Sequence, residues 1–258
     1  MTPVTVITGA SAGIGSELTR VFARNGHTLV LVARRAERLN ALAQEIAATG
    51  RPAPTVLPID LSQPGAAARI GAALAAQNLE PDYVVNNAGF GLVGRAAELD
   101  LAEQLEIIDV NARTLTDLSL AFVESLVRHR GGILNVASVA GFLPGPGSAV
   151  YYASKAYVLS FSEALHQELA PRGVRVTCLC PGPVETEFAT RAGIASTSKP
   201  TPLDVPAARV AEEGYRGLMR GKRLVIPGAG NKIMAFLTRI VPRRILLSVL
   251  DERQKRRR

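Results

Sequence analysis

Two side chains that can carry a proton, Tyr151 and Lys155, lie four residues apart in the segment AVYYASK, residues 149–155. The segment is typical of the start of a long helix, where residues i and i+4 share one face about 6 Å apart along the axis. A neighbouring cation favours the phenolate, so Lys155 is expected to lower the pKa of Tyr151 from about 10. A tyrosine with a lowered pKa can act as acid or base near neutrality. An ordinary packed pair has the same spacing, so the pair alone leaves both interpretations open.

A glycine-rich segment near the N-terminus predicts a site for a phosphate-containing ligand. A short β-branched run at residues 4–8 leads into GASAGIG at residues 9–15, and a helical pattern follows. Glycines let the backbone approach a pyrophosphate closely, and the N–H groups at a helix start receive its charge. The spacing is Gly-x-x-x-Gly-x-Gly, which differs from the usual dinucleotide fingerprint. A tight turn alone is the other interpretation of these glycines.

Further motifs follow in an order that resembles the short-chain dehydrogenase/reductase family. The set is Thr8 to Gly15, Asn86-Asn87-Ala88-Gly89, Asn111, Ser138, Tyr151-x-x-x-Lys155 and Pro181-Gly182. The resemblance runs from about residue 4 to 188 and fades beyond Phe188, where such enzymes vary with their substrate. It implies hydride transfer between a nicotinamide and a carbonyl carbon.

The elements that must position these motifs alternate between strands and helices. Strands are predicted near residues 3–8, 28–33, 54–59, 82–86, 132–138, 174–180 and 223–226. This alternation predicts an α/β fold, a single-domain, Rossmann-type, doubly wound parallel sheet of about seven strands with helices on both faces. Ligands bind such sheets at the carboxyl ends of the strands, where the motifs fall. We expect residues 1–228 to form the dinucleotide-binding and catalytic domain, with a substrate flap at about 188–206.

The resemblance implies roles for four side chains in the reaction. Tyr151 would deliver a proton to the carbonyl oxygen, and Ser138 would donate a hydrogen bond to the same oxygen. Lys155 would hold the nicotinamide ribose and lower the pKa of Tyr151. Asn111 would help carry protons to Lys155 through water, and the same side chain could satisfy a kink in the helix around residues 102–127.

The predicted cofactor is NADP(H). The second strand ends in Ala33-Arg34-Arg35, where an NAD enzyme would normally carry an acid for the ribose 2′-hydroxyl, and Arg34 is placed to meet a 2′-phosphate. The alternative is that both arginines are simply solvated. Asp60 resembles the family's adenine-contacting acid, or it caps the next helix. The predicted cofactor-binding residues are Gly9, Ser11, Gly13, Ile14, Gly15, Arg34, Asp60, Asn87, Ala88, Gly89, Tyr151, Lys155, Pro181, Gly182, Val184 and Thr186.

Composition excludes several classes of protein. No run of 18 or more apolar residues occurs, so no ordinary membrane span is expected, and a strand that begins by about residue 3 leaves no room for a signal peptide. Cys178 and Cys180 share one face of a strand and cannot easily bridge each other. We expect them to be buried reduced thiols in a cytoplasmic protein, with no metal site.

Positive charge is concentrated at the end of the chain. The net charge is +8, but residues 214–258 hold thirteen Lys/Arg against two acids. We expect residues 229–258 to form a basic amphipathic helical extension, with two sets of apolar residues that Pro242 separates. The sets are Ile233, Met234, Phe236, Leu237 and Ile240, and Ile245, Leu246, Leu247, Val249 and Leu250. Three interpretations remain open: packing on the domain or a subunit interface, binding to an anionic membrane surface, and nucleic-acid binding, which the lack of stacking aromatics disfavours.

The predicted function is that of an NADP(H)-dependent carbonyl reductase or alcohol dehydrogenase with a small hydrophobic ketone, aldehyde or 3-oxoacyl substrate. We expect a homodimer or homotetramer in the cytoplasm, with the inner face of the membrane as the site of any peripheral attachment. A redox sensor or scaffold that binds the dinucleotide without turnover is the alternative. The Ser138, Tyr151, Lys155 set disfavours that alternative, since a pure binder has no use for a proton donor.

Overall fold

The structure, a computed structural model, describes residues 1–188, 192, 201 and 203–255. Most of the predicted substrate flap, the side chain of Val249 and the final Arg256–Arg258 therefore lie outside the described residues. In the described part of the chain seven strands form one sheet, in the order β3-β2-β1-β4-β5-β6-β7, with every neighbouring pair parallel. The strands are β1 (Thr2–Thr8), β2 (Leu29–Ala33), β3 (Thr55–Pro58), β4 (Leu79–Asn86), β5 (Gly132–Val136), β6 (Arg175–Leu179) and β7 (Leu224–Val225). The predicted doubly wound parallel sheet is confirmed.

Helices cover both faces of this sheet. They are α1 (Gly13–Arg24), α2 (Ala36–Ala48), α3 (Ala66–Ala75), α4 (Leu101–Ile108), α5 (Leu115–Ala121), α6 (Val123–His129), α7 (Ala149–Leu169), α8 (Ala207–Met219), α9 (Ala229–Ile240) and α10 (Arg243–Lys255). Successive strand residues point to opposite faces, so Ile7 joins the core cluster that contains Phe22 of α1, while Val6 joins the cluster that contains Ile70 of α3. Strands β2 and β5 are buried at every position, as a sheet covered on both faces requires.

The strand order reverses at β1. Strands β2 and β3 lie on one side of β1, and β4 to β7 lie on the other. Loops that leave the carboxyl ends of β1 and β4 therefore diverge and open a crevice, the usual ligand site of an open α/β sheet. The glycine-rich segment and the Asn86–Gly89 motif are these two loops.

The long helical segment between β4 and β5 is interrupted in the middle. A π-helical turn (Asp109–Thr114) separates α4 from α5. Such turns carry one extra residue, leave part of the normal hydrogen-bond ladder unpaired and are frequent at functional sites. Asn111 lies inside the turn and is fully buried. The structure thus places this residue in a helix irregularity, and its side chain bonds to Phe90 and Ser154 outside this helical segment.

Candidate active site

The glycine loop between β1 and α1 forms one side of the crevice. Gly9 has a positive φ of 64°, and a Cβ at this position would lie 2.8 Å from the Cα of Ala88. A Cβ on Gly15 would meet the carbonyl oxygen of Gly9. These two glycines are therefore required by close packing within the protein. Helix α1 begins at Gly13 with no side-chain cap from Ala12, so the start of the helix can receive an anion.

Thr8 and Asn87 join the two loops that border the crevice. The Thr8 hydroxyl accepts hydrogen bonds from the backbone N–H groups of Asn87 and Ala88 at 3.0 and 3.1 Å. The Asn87 amide in turn donates to the carbonyl oxygens of Thr8 and Gly9 at 3.0 and 3.2 Å. Because these bonds cross from the end of β4 to the end of β1, they fix the width of the crevice. Asn87, predicted to bind cofactor, positions the glycine loop.

Asn111 holds the loop after β4 against α7. Its Nδ2 donates to the carbonyl oxygen of Phe90 at 2.9 Å and to the Ser154 hydroxyl at 3.0 Å, and its Oδ1 accepts from the Phe90 N–H at 3.1 Å. A Cβ on Gly89 would lie 2.9 Å from Asn111 Oδ1 and 3.3 Å from Lys155 Nζ. Asn111 and Lys155 thus converge on Gly89, where only a glycine leaves room for both.

Lys155 is buried beneath the crevice. Only 5% of the residue is exposed, and its Nζ donates to the carbonyl oxygen of Val136 at 2.9 Å. Burial lowers the pKa of Lys155 from 10.5 to about 8, because the charged amine loses hydration. The ammonium lies 5.9 Å from the centre of the Tyr151 ring.

The Tyr151 hydroxyl has the opposite shift from the one predicted. Burial raises the pKa of Tyr151 to about 12, while a hydrogen bond with Ser138 acts in the other direction. The expectation that Lys155 lowers the pKa of Tyr151 is therefore wrong for this structure. The physical reason is that the ammonium points to Val136, so desolvation of the phenol dominates.

Ser138 lies between the end of β5 and Tyr151. Its hydroxyl oxygen accepts a hydrogen bond from the Ala140 N–H at 3.1 Å and caps the 3₁₀ turn Val139–Phe142. The same hydroxyl donates a long bond of 3.4 Å to the carbonyl oxygen of Pro181. Ser138 and Tyr151, which are distant in sequence, therefore place two hydroxyl groups side by side.

Two residues beside Tyr151 were missed by sequence reasoning. A Cβ on Gly91 would lie 2.8 Å from Cδ2 of the Tyr151 ring, and the ring of Phe188 lies 5.3 Å from that of Tyr151. The signal for Gly91 was its place just after the Asn86–Gly89 motif, whereas nothing in the sequence located the Phe188 ring. Together they make an apolar wall next to Tyr151.

Arg35, rather than Arg34, contacts the glycine loop. Its guanidinium donates to the Ser11 hydroxyl at 3.1 Å and to the Glu187 carboxylate at 2.8 Å, and Arg38 pairs with the same carboxylate. Arg34 extends toward Glu106 instead, with 3.6 Å between Nη1 and Oε1. The pKa of Glu187 is lowered by the two arginines, Arg38 first and then Arg35. Sequence reasoning had given Arg35 no part in the site.

Asp60 lies beyond the end of β3 and closes a local turn. Its carboxylate accepts from the Ser62 N–H at 3.0 Å and from the Ser62 hydroxyl at 2.9 Å. Burial works to raise the pKa of Asp60, but these bonds and the positive charges of Arg34 and Arg69 lower it overall. The alternative that Asp60 caps the next helix is wrong, because Gly65 occupies that position.

The segment after β6 covers the glycine loop from above. A Cβ on Gly13 would lie 2.9 Å from Cγ2 of Thr186, and Ile14 and Val184 pack against the core cluster on that face of the sheet. Gly182 is in close contact with the Asn231 amide of α9, where a side chain would not fit. Pro181, Gly182, Val184 and Thr186, which are predicted to bind cofactor, belong to this segment, and Thr186 contacts the glycine loop directly.

The cysteines and histidines have structural surroundings. Cys178 and Cys180 are buried and free, with 3.7 Å between their sulfur atoms. Nδ1 of His166 lies 2.8 Å from the carbonyl oxygen of Val176, and Nε2 of His129 lies 2.8 Å from the Glu80 carboxylate. Among the described residues, no group of three or more His, Cys, Asp or Glu side chains is arranged to hold a metal ion.

Comparison with known proteins identifies the family. The family model for short chain dehydrogenase matches residues 3–195. The chain belongs to this family. It is 39% identical over 191 residues to sulfoacetaldehyde reductase 2 of Chromohalobacter salexigens, a match that covers 73% of this chain and 75% of the relative. It is 38% identical over 190 residues to the NADP-dependent 3-hydroxy acid dehydrogenase YdfG of Salmonella typhi, covering 72% of this chain and 75% of the relative. A short-chain dehydrogenase from Sphingobium yanoikuyae in complex with NADPH superimposes with a TM-score of 0.79 at 35% identity, over 87% of each chain.

The family assignment confirms the predicted resemblance and makes the chain an oxidoreductase of this family. The family match extends slightly past Phe188, the point where the motif resemblance fades. It ends before α8, α9 and α10. The C-terminal helices are therefore a part of this chain for which the family model gives no expectation.

Proposed function

We propose that the protein is an NADP(H)-dependent carbonyl reductase or alcohol dehydrogenase. The observation that carries this proposal is the convergence of Ser138, Tyr151 and Lys155 beside the glycine loop at the point where the strand order reverses. A pure dinucleotide binder has no need of two adjacent hydroxyl groups above a buried amine. Relatives named as a reductase and as a dehydrogenase support the same class of reaction.

The residues present fit a dinucleotide. The start of α1 has no side-chain cap, its loop is glycine-rich, and β2 ends without a carboxylate that would repel a 2′-phosphate. In our proposal the start of α1 holds the pyrophosphate and the Pro181–Thr186 segment holds the nicotinamide carboxamide. When bound, the cofactor supplies or accepts a hydride at the nicotinamide C4.

The proton is moved by the chain's own side chains. With a pKa raised to about 12, the Tyr151 hydroxyl remains protonated at neutral pH, so it is ready to donate a proton to a carbonyl oxygen. Ser138 donates a second hydrogen bond to that oxygen and stabilises the negative charge that develops there. A phenol with so high a pKa is a weak acid, so transfer of its proton depends on a change that lowers this pKa when cofactor and substrate bind.

Lys155 has two tasks in this proposal. Its ammonium would exchange the Val136 carbonyl for the nicotinamide ribose, which brings positive charge closer to Tyr151. A nearer cation lowers the pKa of a phenol. Asn111 keeps Gly89 and Phe90 in place, so that Lys155 can make this exchange without displacing the loop above it.

Arg35 is the stronger candidate for the 2′-phosphate of NADP(H). It already donates to Ser11 in the glycine loop, and a phosphate bound there would replace the Glu187 carboxylate as its anionic partner. Arg34 is half exposed and lies near Glu106, so it would contribute from the rim. We propose that both arginines favour NADP(H), with Arg35 the larger contributor.

The substrate side of the crevice is apolar near the proton donor. Gly91 and the rings of Phe188 and Tyr152 surround Tyr151. This wall favours a hydrophobic ketone, aldehyde or 3-oxoacyl group.

We also propose that the protein is cytoplasmic and forms a homodimer or homotetramer. The reason for proposing an oligomer is that α4, α5 and α7 expose large apolar side chains that a second copy could cover. These side chains are Leu101, Leu105, Ile108, Leu120 and Tyr157.

A carbonyl screen tests the proposal. Purified full-length protein is mixed with NADPH and a panel of hydrophobic ketones, aldehydes and 3-oxoacyl thioesters, with sulfoacetaldehyde as a polar comparison, and loss of NADPH absorbance is followed. Turnover of a hydrophobic carbonyl that disappears in Tyr151→Phe supports the proposal. Turnover of sulfoacetaldehyde alone would refute the hydrophobic substrate class. Tight NADPH binding with no turnover of any carbonyl would instead favour the sensor or scaffold.

A further inference from the structure

Helix α9 exposes its apolar side to solvent. Ile233, Phe236, Leu237 and Ile240 follow the i, i+3, i+4, i+7 spacing of a single stripe, and each is between 46% and 63% exposed. The opposite side of the helix faces the domain through Asn231 and Ala235, both of them buried. Helix α9 therefore packs on the domain through this inner side, while its apolar stripe does not, and the interpretation of the stripe as part of a subunit interface stays a prediction. The described part of the chain therefore does not bury this stripe.

The exposed apolar side chains continue into α10. Beyond Pro242, Ile245 and Leu247 are also exposed. We call the six exposed side chains of the two helices the C-terminal apolar surface: Ile233, Phe236, Leu237, Ile240, Ile245 and Leu247. The four residues of α9 form one stripe, whereas Ile245 and Leu247 of α10 lie two positions apart and face different sides of that helix. Scattered exposed apolar residues are normal, but a stripe of large ones marks an interaction site.

Charge around this surface selects the kind of partner. The sequence contains no acidic residue between Glu213 and Asp251, while it contains eight Lys/Arg in residues 214–250. Lys232, Arg239 and the Arg243-Arg244 pair are exposed on the same two helices. The partner should therefore combine negative charge with an apolar interior.

The other exposed apolar cluster of the domain has the opposite charge pattern. Leu101, Leu105 and Ile108 of α4 are interspersed with acids, Glu103 and Glu106 among them. Because the charges around the two surfaces differ in sign, the two surfaces favour different classes of partner. The contrast also supplies a matched control, because both clusters offer exposed apolar residues on a helix.

We propose that the C-terminal apolar surface binds to the face of an anionic lipid bilayer. Amphipathic helices lie in the plane of the interface, with apolar side chains among the acyl chains and cations at the anionic headgroups. A second copy on this surface would bring basic helices together, and nucleic acid would leave six apolar side chains without an apolar partner. No helix among the described residues is long and apolar enough to cross a membrane.

Sedimentation of the full-length protein with vesicles tests this proposal. Phosphatidylcholine vesicles are compared with vesicles that also contain phosphatidylglycerol, at low and high salt. We expect binding to the anionic vesicles at low salt, and weaker binding at high salt as the headgroup charge is screened. The double substitution Arg243→Gln, Arg244→Gln should weaken binding by roughly thirtyfold, since each cation near the surface contributes roughly fivefold.

A second pair of variants separates apolar insertion from charge. Phe236→Ser with Ile240→Ser should weaken vesicle binding by about tenfold or more, because two large side chains no longer enter the acyl region. The matched control, Leu101→Ser with Leu105→Ser, lies on the face that we propose a second copy covers, so it can lower the oligomeric state, but it should weaken vesicle binding much less than the α9 variant does. Thermal unfolding of all variants confirms that they are folded, which is expected because these side chains are exposed.

Several outcomes would overturn the proposal. The first is that the protein stays in the supernatant with anionic vesicles at low salt. The second is that the control variant loses as much vesicle binding as the α9 variant. A third is a fall in oligomeric state for the α9 variant alone, since a second copy would then cover the surface. A fourth is oligonucleotide binding that depends on the Arg243-Arg244 pair while vesicles are not bound.

Discussion

Replacing Lys155 with methionine should stabilise the protein while it abolishes turnover. Burial lowers the pKa of Lys155 from 10.5 to about 8. Each pKa unit corresponds to about 1.4 kcal/mol, so at pH 7 the charged lysine lowers the free energy of unfolding by about 3 kcal/mol. Methionine has a similar shape and no charge, but it loses the hydrogen bond to Val136, worth about 1 kcal/mol. The expected net gain for Lys155→Met is about 2 kcal/mol.

The stability gained by Lys155→Met should decrease as the pH rises. Below about pH 8 the lysine is protonated in both the folded and the unfolded states, so its full cost is present. Between pH 8 and 10.5 the unfolded chain binds more protons than the folded protein, so the stability contributed by this site rises with pH. The wild type therefore recovers stability relative to Lys155→Met. At pH 9 the difference should fall to about 1 kcal/mol.

Denaturant unfolding of both proteins without added cofactor, at pH 7 and pH 9, measures this difference. Other titrating groups, Tyr151 included, are present in both proteins and cancel. In a thermal melt the gain at pH 7 corresponds to about 5 °C. Lys222→Met, which removes an exposed lysine, should change stability by less than about 0.5 kcal/mol at either pH. A Lys155→Met variant that is less stable than the wild type at pH 7, or a difference that does not change with pH, would refute the reasoning.

Two further predictions concern the proton donor and the cofactor. Tyr151→Phe removes the hydroxyl and keeps the ring against Phe188, so kcat should fall by roughly a hundredfold or more with NADPH affinity nearly unchanged, whereas Tyr152→Phe should have little effect. Equal losses in the two variants would show that the proton donor is another group. Arg35→Ala should reduce the ratio of kcat/KM for NADPH over NADH more than Arg34→Ala does, because only Arg35 reaches the glycine loop. A larger effect from Arg34→Ala would restore the assignment made from the sequence.

The sequence was sufficient for the fold because the pattern of buried β-branched runs is local. The predicted strand 28–33 starts one residue before β2 and ends with it, the predicted strand 54–59 is one residue longer than β3 at each end, and β4 begins three residues earlier than predicted. The motifs also lie at the carboxyl ends of the strands, as predicted, since parallel strands bring these ends to one edge of the sheet. The order of the motifs, rather than any one of them, identified the family that residues 3–195 match.

The sequence could not predict features that depend on the orientation of side chains or on contacts between residues far apart in the chain. The spacing of Tyr151 and Lys155 places them on one helical face, but it does not show that the ammonium turns to Val136, and this direction reverses the predicted shift in the Tyr151 pKa. The contact of Arg35 with Glu187 joins residues 152 positions apart. Likewise, the periodicity of α9 predicts an apolar stripe without showing which way the stripe faces. Each of these facts requires the tertiary fold.

Helix α9 has two different sides, and they should be separable by mutation. On the inner side, Asn231 is fully buried, and its amide donates to the carbonyl oxygens of Leu203 and Pro227 at 2.9 Å each. The same side chain lies against Gly182, in the segment that we propose holds the nicotinamide carboxamide. Asn231→Ala removes both bonds and leaves a gap beside Gly182, so we expect a lower melting temperature and a KM for NADPH raised by about tenfold.

The outer side of α9 provides the comparison. Phe236→Ser with Ile240→Ser changes only exposed side chains, so its KM for NADPH and its melting temperature should match those of the wild type. Steady-state kinetics with a soluble substrate and thermal melts of both variants measure the separation. If the outer variant raised KM as much as Asn231→Ala does, the inner contacts would not be what connects this helix to the cofactor segment. If Asn231→Ala lowered the melting temperature and left KM unchanged, its amide would support the fold without positioning Gly182.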